Sequence, residues 1–206
     1  MTFASEALIN EHSWLMKGSE ILEDMTEELE RGATVEIEDL RQIVMFFQLL
    51  AEKCHYPKEE QYYFELVRAH GDENAGLLDH LIDEHNLGRM QLRVMQKASE
   101  REKLDKQEFI NAAYGYIGIL GGHMEAEQYE LFPLGDEIIP KDKQVRLLQL
   151  FERFDREVLG TGAYEKLYEL FRQLEQAYSR GRSYQEEKEL DRNMRMGVGR
   201  SARASR

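Results

Sequence analysis

The dipeptide Glu-His occurs twice in a placement that constrains this chain more than any other feature. Glu11-His12 precedes a His-x-x-x-Glu word at His55 to Glu59, and Glu84-His85 precedes a second at His123 to Glu127. A phenylalanine follows each word at the same distance, Phe64 and Phe132. On an α-helix a four-residue step returns to the same face one turn on, so each word aims an imidazole and a carboxylate into one volume. The repeat unit is therefore a helix hairpin with one His on its first arm and a two-toothed His/Glu ligand on its second. Two such hairpins packed face to face converge four imidazoles and two carboxylates at the centre of a bundle, the composition of a dinuclear metal site.

The remaining sequence supplies the helices. Only Pro57, Pro133 and Pro140 interrupt a chain rich in Leu, Glu, Met, Gln and Arg, and strand-like alternation is scarce. A first amphipathic helix is expected from about Ser5 to Glu30, with Leu8, His12, Leu15, Ser19, Leu22 and Leu29 near one stripe and a stop at Arg31-Gly32. A second begins after Thr34, carries Leu40, Val44, Phe47 and Leu50 inward, and continues through His55 to about Ala69. After a turn at His70 to Asn74, a third covers about Ala75 to Ser99. The fourth runs from about Asp105 to Leu134, with Pro133 and Gly135 marking its end. Short connections between four long helices make an all-α, up-down-up-down bundle over residues 1–140. Beyond Pro140, amphipathic stretches from Lys141 to Val158 and Ala163 to Tyr178, separated by Gly160-Thr161-Gly162, read as a helical hairpin over 141–178 packed on the bundle or on a partner. Residues 179–206 have little apolar content and end in an Arg-rich run, Arg192 to Arg206, expected to be a mobile basic tail.

Charge and cysteine content narrow the function classes. A formal net charge of −13 disfavours nucleic acid and anionic lipid as partners. No apolar run approaches the roughly 20 residues that span a bilayer, and no basic start followed by an apolar stretch opens the chain. Cys54 is the single cysteine, so neither an internal disulfide nor a Cys-based zinc knuckle is available. A soluble, reducing, cytoplasmic setting is the expectation.

Imidazole suits iron, zinc, copper and nickel, whereas calcium and magnesium prefer oxygen cages. Two His at each ion with two bridging carboxylates leaves positions for a solvent bridge and an exogenous ligand. Ferritin-like sites differ, using Glu-x-x-His at a three-residue step and more carboxylates than imidazoles. The words Glu-His-Ser-Trp-Leu at His12, His-Tyr-Pro-Lys-Glu-Glu at His55, Glu-His-Asn-Leu-Gly-Arg at His85, and His123 to Glu127 running on to Leu131-Phe132-Pro133 resemble the hemerythrin cation-binding (HHE) domain over roughly residues 5–140. The resemblance implies a left-twisted bundle around two iron ions bridged by an oxo or hydroxo group. The ligands would be His12, His55, Glu59, His85, His123 and Glu127. It also implies that the site handles dioxygen, nitric oxide or peroxide, with an electron donor that the sequence does not identify. Oxygen carriers of that family have a fifth His on the third helix, one turn from the ligand there, but Leu81 and Arg89 stand at those positions. The chain is thus more similar to the four-His, two-Glu branch, which includes proteins implicated in iron–sulfur cluster repair and oxidative or nitrosative stress. The other readings are a non-catalytic iron or oxygen sensing or storage module signalling through the C-terminal helices, with a protein partner or a second copy as its contact, and a helical protein whose His residues hold zinc or nothing.

The flanking residues carry their own expectations. His70 lies in a polar turn and is read as exposed; His80 is rotated about 140° from His85 and is read as exposed or as orienting a ligand. Pro57 implies either a tolerated kink or a locally opened site entrance. Gly115, Gly118 and Gly122 imply close approach of a neighbouring helix or a small-ligand channel. Tyr56, Tyr62, Tyr63, Tyr116 and Tyr129 flank the ligand words. Tyr116 is best placed to face a bound ligand, although aromatic stripes are usually core. Cys54 should pack inertly.

Overall fold

Glycine, proline and capping residues divide the chain into helices largely where the sequence places them. The computed structural model describes residues 3–160 and 162–178, and every regular element among them is helical. We label them α1 (Ala4–Glu30), α2 (residues 37–68), α3 (Ala75–Glu100), α4 (residues 106–138), α5 (Lys141–Leu159) and α6 (Ala163–Tyr178). Gly32 at φ +77° ends α1, and Gly160 at φ +76° ends α5, a left-handed backbone that glycine adopts without a Cβ penalty. At the start of α4 the Asp105 side chain accepts a hydrogen bond from the Glu108 N–H at 3.2 Å. No helix among the described residues is long and apolar enough to cross a membrane. The basic tail expected from Ser179 lies outside the described residues.

The expected end of the fourth helix is wrong. α4 does not stop at Leu134 but continues through Pro133 to Ile138. A proline normally clashes with the carbonyl four residues back. Here the preceding turn, Glu127–Leu131, is π-helical, and the Phe132 N–H bonds the Glu127 carbonyl, five residues back. The widened turn accommodates the ring, and the helix resumes as Phe132–Ile138. α2 behaves alike around Pro57: a π-helical stretch Gln48–His55 precedes Tyr56–Lys58, and a second, Glu59–Tyr63, follows it.

The four long helices close a ring, with α1 against α2 and α4, and α3 against α2 and α4. α5 lies on α1 and the Gln48–His55 part of α2, and α6 on α1 and the Ile37–Phe47 part. Inside, apolar residues form two clusters. One contains Leu15, Leu22, Phe46, Phe47, Leu92, Leu120 and Phe171. The other contains Leu8, Tyr63, Phe64, Leu81, Leu131, Phe132 and Phe151. Along each helix the ligand-type residues fall between the two, so a polar layer is held between apolar floors.

Of the three glycines expected at a close helix approach only Gly115 stands at one, and other glycines stand at tighter ones. A Cβ at Gly18 would strike Phe46, one at Gly88 would press on Tyr56, and one at Gly135 would overlap the Tyr63 hydroxyl. A Cβ at Gly115 would press on the Gln91 side chain of α3 at 3.2 Å, while Gly118 and Gly122 face open space on an exposed side of α4. Neighbouring-helix packing therefore does not explain Gly118 and Gly122. Gly118→Ala and Gly122→Ala should each stabilise the fold by about 0.5–1 kcal/mol through reduced unfolded-chain entropy. Gly135→Ala should destabilise it by about 1–3 kcal/mol through overpacking. Denaturant midpoints compared with the parent chain check both signs, and equal shifts for the three substitutions would contradict this account.

Candidate metal centre

All six ligand candidates meet at mid-height of the bundle, each at most 2 % exposed. The four-residue steps act as the helix requires: His55 Nε2 lies 3.0 Å from Glu59 Oε1, and His123 Nε2 lies 3.3 Å from Glu127 Oε2. The imidazoles sort into pairs, with His12 Nε2 and His55 Nε2 3.0 Å apart, and His85 Nε2 and His123 Nε2 2.9 Å apart. Two nitrogens each about 2.1 Å from a common ion stand about 3 Å apart when they subtend a right angle, the spacing of neighbouring ligands on one ion. The carboxylates lie between the pairs. Glu59 turns Oε1 toward His55 and Oε2 toward His85 at 3.3 Å, and Glu127 Oε2 is 3.1 Å from His12 as well as close to His123. At this level two groups converge closely enough to hold an ion, His12, His55, Glu59, Glu127 and Glu59, His85, His123, Glu127, with both carboxylates in common.

The donor set fits cations. All four carboxylate oxygens of Glu59 and Glu127 are buried and lack a well-formed hydrogen bond, an arrangement that is costly unless positive charge compensates it. Without an ion, protons on imidazole take that part. Burial opposes a charge on His55, but Glu59 and Glu11 outweigh it and push its pKa up to about 10. Burial likewise opposes charging of His12 and His85, whose pKa values nevertheless rise because Glu127 and Glu59 contact His12 and Glu59 and Glu60 contact His85. Glu59 is held well below the usual carboxylate range: burial alone would raise it, and His55, His12 and His85 overcome that.

Residues that the sequence did not single out surround the ligand candidates. Glu11 accepts from His55 Nδ1 at 2.8 Å, Glu60 from His85 Nδ1 at 2.7 Å, and Glu84 from His123 Nδ1 at 3.1 Å. An acceptor on Nδ1 fixes the proton there and leaves the Nε2 lone pair facing the centre. The signal was present, since each of these Glu residues adjoins a ligand in sequence. What hid it is that each serves a His on a different helix. Behind them stand cations: Arg89 donates to Glu60 at 2.8 Å, and the buried Lys58 pairs with Glu11 and, at 2.9 Å, with Asp155 of α5. The cluster Glu11, Cys54 and Asp155 could itself suggest a metal site, but the Lys58 ammonium already occupies its centre of charge.

Other expectations resolve individually. Leu81 is fully buried within an apolar cluster, and Arg89 is committed to Glu60, so neither position offers a fifth donor. His80 is 65 % exposed and reaches only Glu84, at 3.4 Å. His70 is exposed, with Nδ1 on the Leu66 carbonyl. Tyr116 is buried against Phe47, and its hydroxyl lies beside that of Tyr56 without a fully formed bond. It is Tyr56 that stacks on a ligand, 3.9 Å from His85 between ring centroids. Tyr63 packs in the core and Tyr129 is exposed. Cys54 is buried as expected but donates to Asp155 at 2.9 Å, and burial pushes its thiol pKa well up. Phe64 and Phe132 cover His85 and His12 at 6.0 and 5.5 Å.

The comparisons agree with this geometry. The model of the family described as hemerythrin HHE cation-binding domain matches residues 4–135. The chain belongs to the hemerythrin HHE family. Neither the curated proteins nor the solved structures provide a match. The matched span contains all six converging residues and excludes α5 and α6. The family's description names cation binding, and the matched span here is a helical bundle with the six converging residues at its centre.

The titration directions predict how metal-free protein responds to pH. The contribution of His55, whose pKa is raised, is complete below its ordinary 6.5 and lost as pH climbs through about 10. That of Glu59, whose pKa is lowered, is complete above 4.5 and lost on acidification through its depressed value. Chelated protein should therefore melt highest between these limits and lose melting temperature from about pH 6.5 upward. Metal-loaded protein should lose less over that range because ions replace the protons. Parallel alkaline declines with and without metal would refute the substitution of protons by ions. Separately, Asp155→Ala takes one of two carboxylates from a buried ammonium and should lower stability by about 1–3 kcal/mol, read from denaturant unfolding.

Proposed function

We propose that the chain is a non-haem diiron protein that binds or reacts with small oxidants: dioxygen, nitric oxide or peroxide. The observation that carries this reading is the donor set itself, two buried pairs of imidazoles with two buried carboxylates between them and no other acidic ligand. His12 and His55 would hold one iron, His85 and His123 the other, and Glu59 and Glu127 would bridge. Iron is favoured over zinc by the match to the hemerythrin domain together with this imidazole-rich set.

Bound iron would supply open coordination positions and redox electrons to a diatomic or peroxide ligand. The chain's own residues do the rest. Glu11, Glu60 and Glu84 keep the Nδ1 protons in place and orient three rings. Phe64, Phe132 and Tyr56 wall the layer with aromatic surface that excludes bulk water. The apolar Leu81 leaves one ion short of the donor that oxygen carriers have, which favours reaction or sensing over reversible oxygen storage. An oxidative or nitrosative stress role, iron–sulfur cluster repair included, fits a cytoplasmic protein of this kind.

A sensing reading has its own support, because Asp155 ties α5 through Lys58 to Glu11 and so to His55. Ligand-dependent turnover separates the two.

Protein purified with iron should contain about two iron ions per chain and show near-ultraviolet and visible bands that respond to dithionite, oxygen, nitric oxide or peroxide. Glu127→Ala should lower the iron content substantially below that of the parent. A colourless protein under every condition, or unchanged iron in the variant, would overturn the reading.

A further inference from the structure

The two halves of the centre are related by the sequence repeat, and the repeat pairs more than the ligands. Glu11 corresponds to Glu84, His12 to His85, His55 to His123, Glu59 to Glu127 and Phe64 to Phe132. The Nδ1 partners obey the same correspondence: Glu11 serves His55 as Glu84 serves His123. Glu60, next to Glu59, serves His85 at 2.7 Å, and its counterpart next to Glu127 serves His12. That counterpart is Gln128, with its amide nitrogen 3.4 Å from His12 Nδ1. The substitution is matched one layer out, where Arg89 on Glu60 corresponds to Met16. Where one half has a charged pair, the other has uncharged residues at both corresponding positions.

The exchange changes what the imidazole can do. An ionised carboxylate only accepts, so Glu60 holds the Nδ1 proton on His85 and leaves Nε2 free to ligate. An amide presents either a donor or an acceptor, depending on which way it is turned, so Gln128 tolerates a His12 whose Nδ1 carries no proton. In that tautomer Nε2 bears the hydrogen and faces Glu127, 3.1 Å away, instead of offering a lone pair. Ligation at His12 then requires the proton to move and the amide to turn. The bond formed afterwards is a neutral one, weaker than the charge-assisted bond at His85. Arg89 offsets the charge of Glu60 but leaves its hydrogen bond to His85 intact, at 2.7 Å.

We infer that the two metal positions are inequivalent by design of this second layer: the His85/His123 position binds its ion first and more tightly, and Gln128 makes the His12/His55 position the weaker, exchangeable one. The inference rests on the two-ion reading above. Loss of an outer carboxylate partner typically changes metal affinity by tenfold or more, which sets the expected difference at about tenfold. A centre with one retained and one exchangeable ion can pass through a singly loaded state that a symmetric centre would scarcely populate.

The test uses full-length protein, stripped of metal and titrated with zinc(II), a redox-silent probe, while nitrogen NMR follows labelled histidine side chains. At one equivalent, His85 and His123 should report higher occupancy than His12 and His55, by about threefold if the positions fill independently and by up to about tenfold if repulsion between the ions suppresses double loading. Mutual repulsion between the ions would spread the two steps in any variant, so position matters, and two opposite exchanges test it. Glu60→Gln should make the positions fill together by weakening the first. Gln128→Glu, or Gln128→Glu with Met16→Arg to copy the whole charged pair, should make them fill together by strengthening the second. Equal filling in the parent chain, or a preference that neither exchange moves, overturns the inference while leaving the two-ion reading in place. Failure to take up either zinc or iron overturns both.

Discussion

Two carboxylates buried in the middle of a helical bundle, without hydrogen bonds to satisfy them, set the terms for everything around them. Glu59 and Glu127 are fully buried, and their oxygens face imidazole nitrogens. A carboxylate in such a place is stable only beside positive charge, which protons on His12, His55 and His85 or metal ions can provide. The need propagates outward. Imidazoles that must offer a lone pair inward need an acceptor behind them, hence Glu11, Glu60 and Glu84; two of these acids, Glu11 and Glu60, in turn pair with the cations Lys58 and Arg89. Negative and positive shells alternate until the side chains reach solvent or, at Asp155, the added helix α5.

The backbone yields to that arrangement. Glu59 and Glu127 each begin a π-helical turn closed by the N–H of Phe64 or Phe132 on the carbonyl five residues back. Pro133 lies just beyond the second of these turns, but Glu65 stands at the equivalent place after the first, so proline is not what the copies share. They share a ligand carboxylate at the head of the turn and a phenylalanine at its close, packed over a ligand ring. Widened turns of this kind concentrate at functional sites, where they re-aim side chains that a regular helix would direct elsewhere.

Duplication explains both the regularity of the centre and the meaning of its exceptions. The residues that both copies keep include the ligand candidates, their ring covers and the imidazole partners Glu11 and Glu84, together with apolar packing residues such as Leu8 and Leu81. Where they part, one half has gained a local feature: Tyr56 against Met124, Lys58 against Ala126, Arg89 against Met16, Glu60 against Gln128. Tyr56 stacks on His85, and Lys58 recruits α5. The face of α1 and α2 carries α5 and α6, whereas on α4 Gly118, Gly122 and Tyr129 remain exposed.

The sequence by itself determined the helices, their order and the six inward donors, because helical periodicity and four-residue spacing are local properties that survive without knowledge of what packs where. It also read His70 as exposed from its polar turn, whereas rotation left His80 either exposed or orienting a ligand, and the structure leaves it exposed on Glu84. It misjudged the end of α4, since Pro133 breaks a helix only if the preceding turn stays regular, and the turn's hydrogen bonding depends on its surroundings. It misassigned Gly118 and Gly122 to close packing, and favoured Tyr116 over Tyr56, because which neighbour fills a given space is not a property of one helix. The carboxylates behind the imidazoles were adjacent to ligands in plain view, yet only the tertiary structure decided which ring each one holds. A hydrogen bond from His85 on α3 to Glu60 on α2 joins residues whose helices have no local reason to meet, and packing around a buried charge supplies that reason.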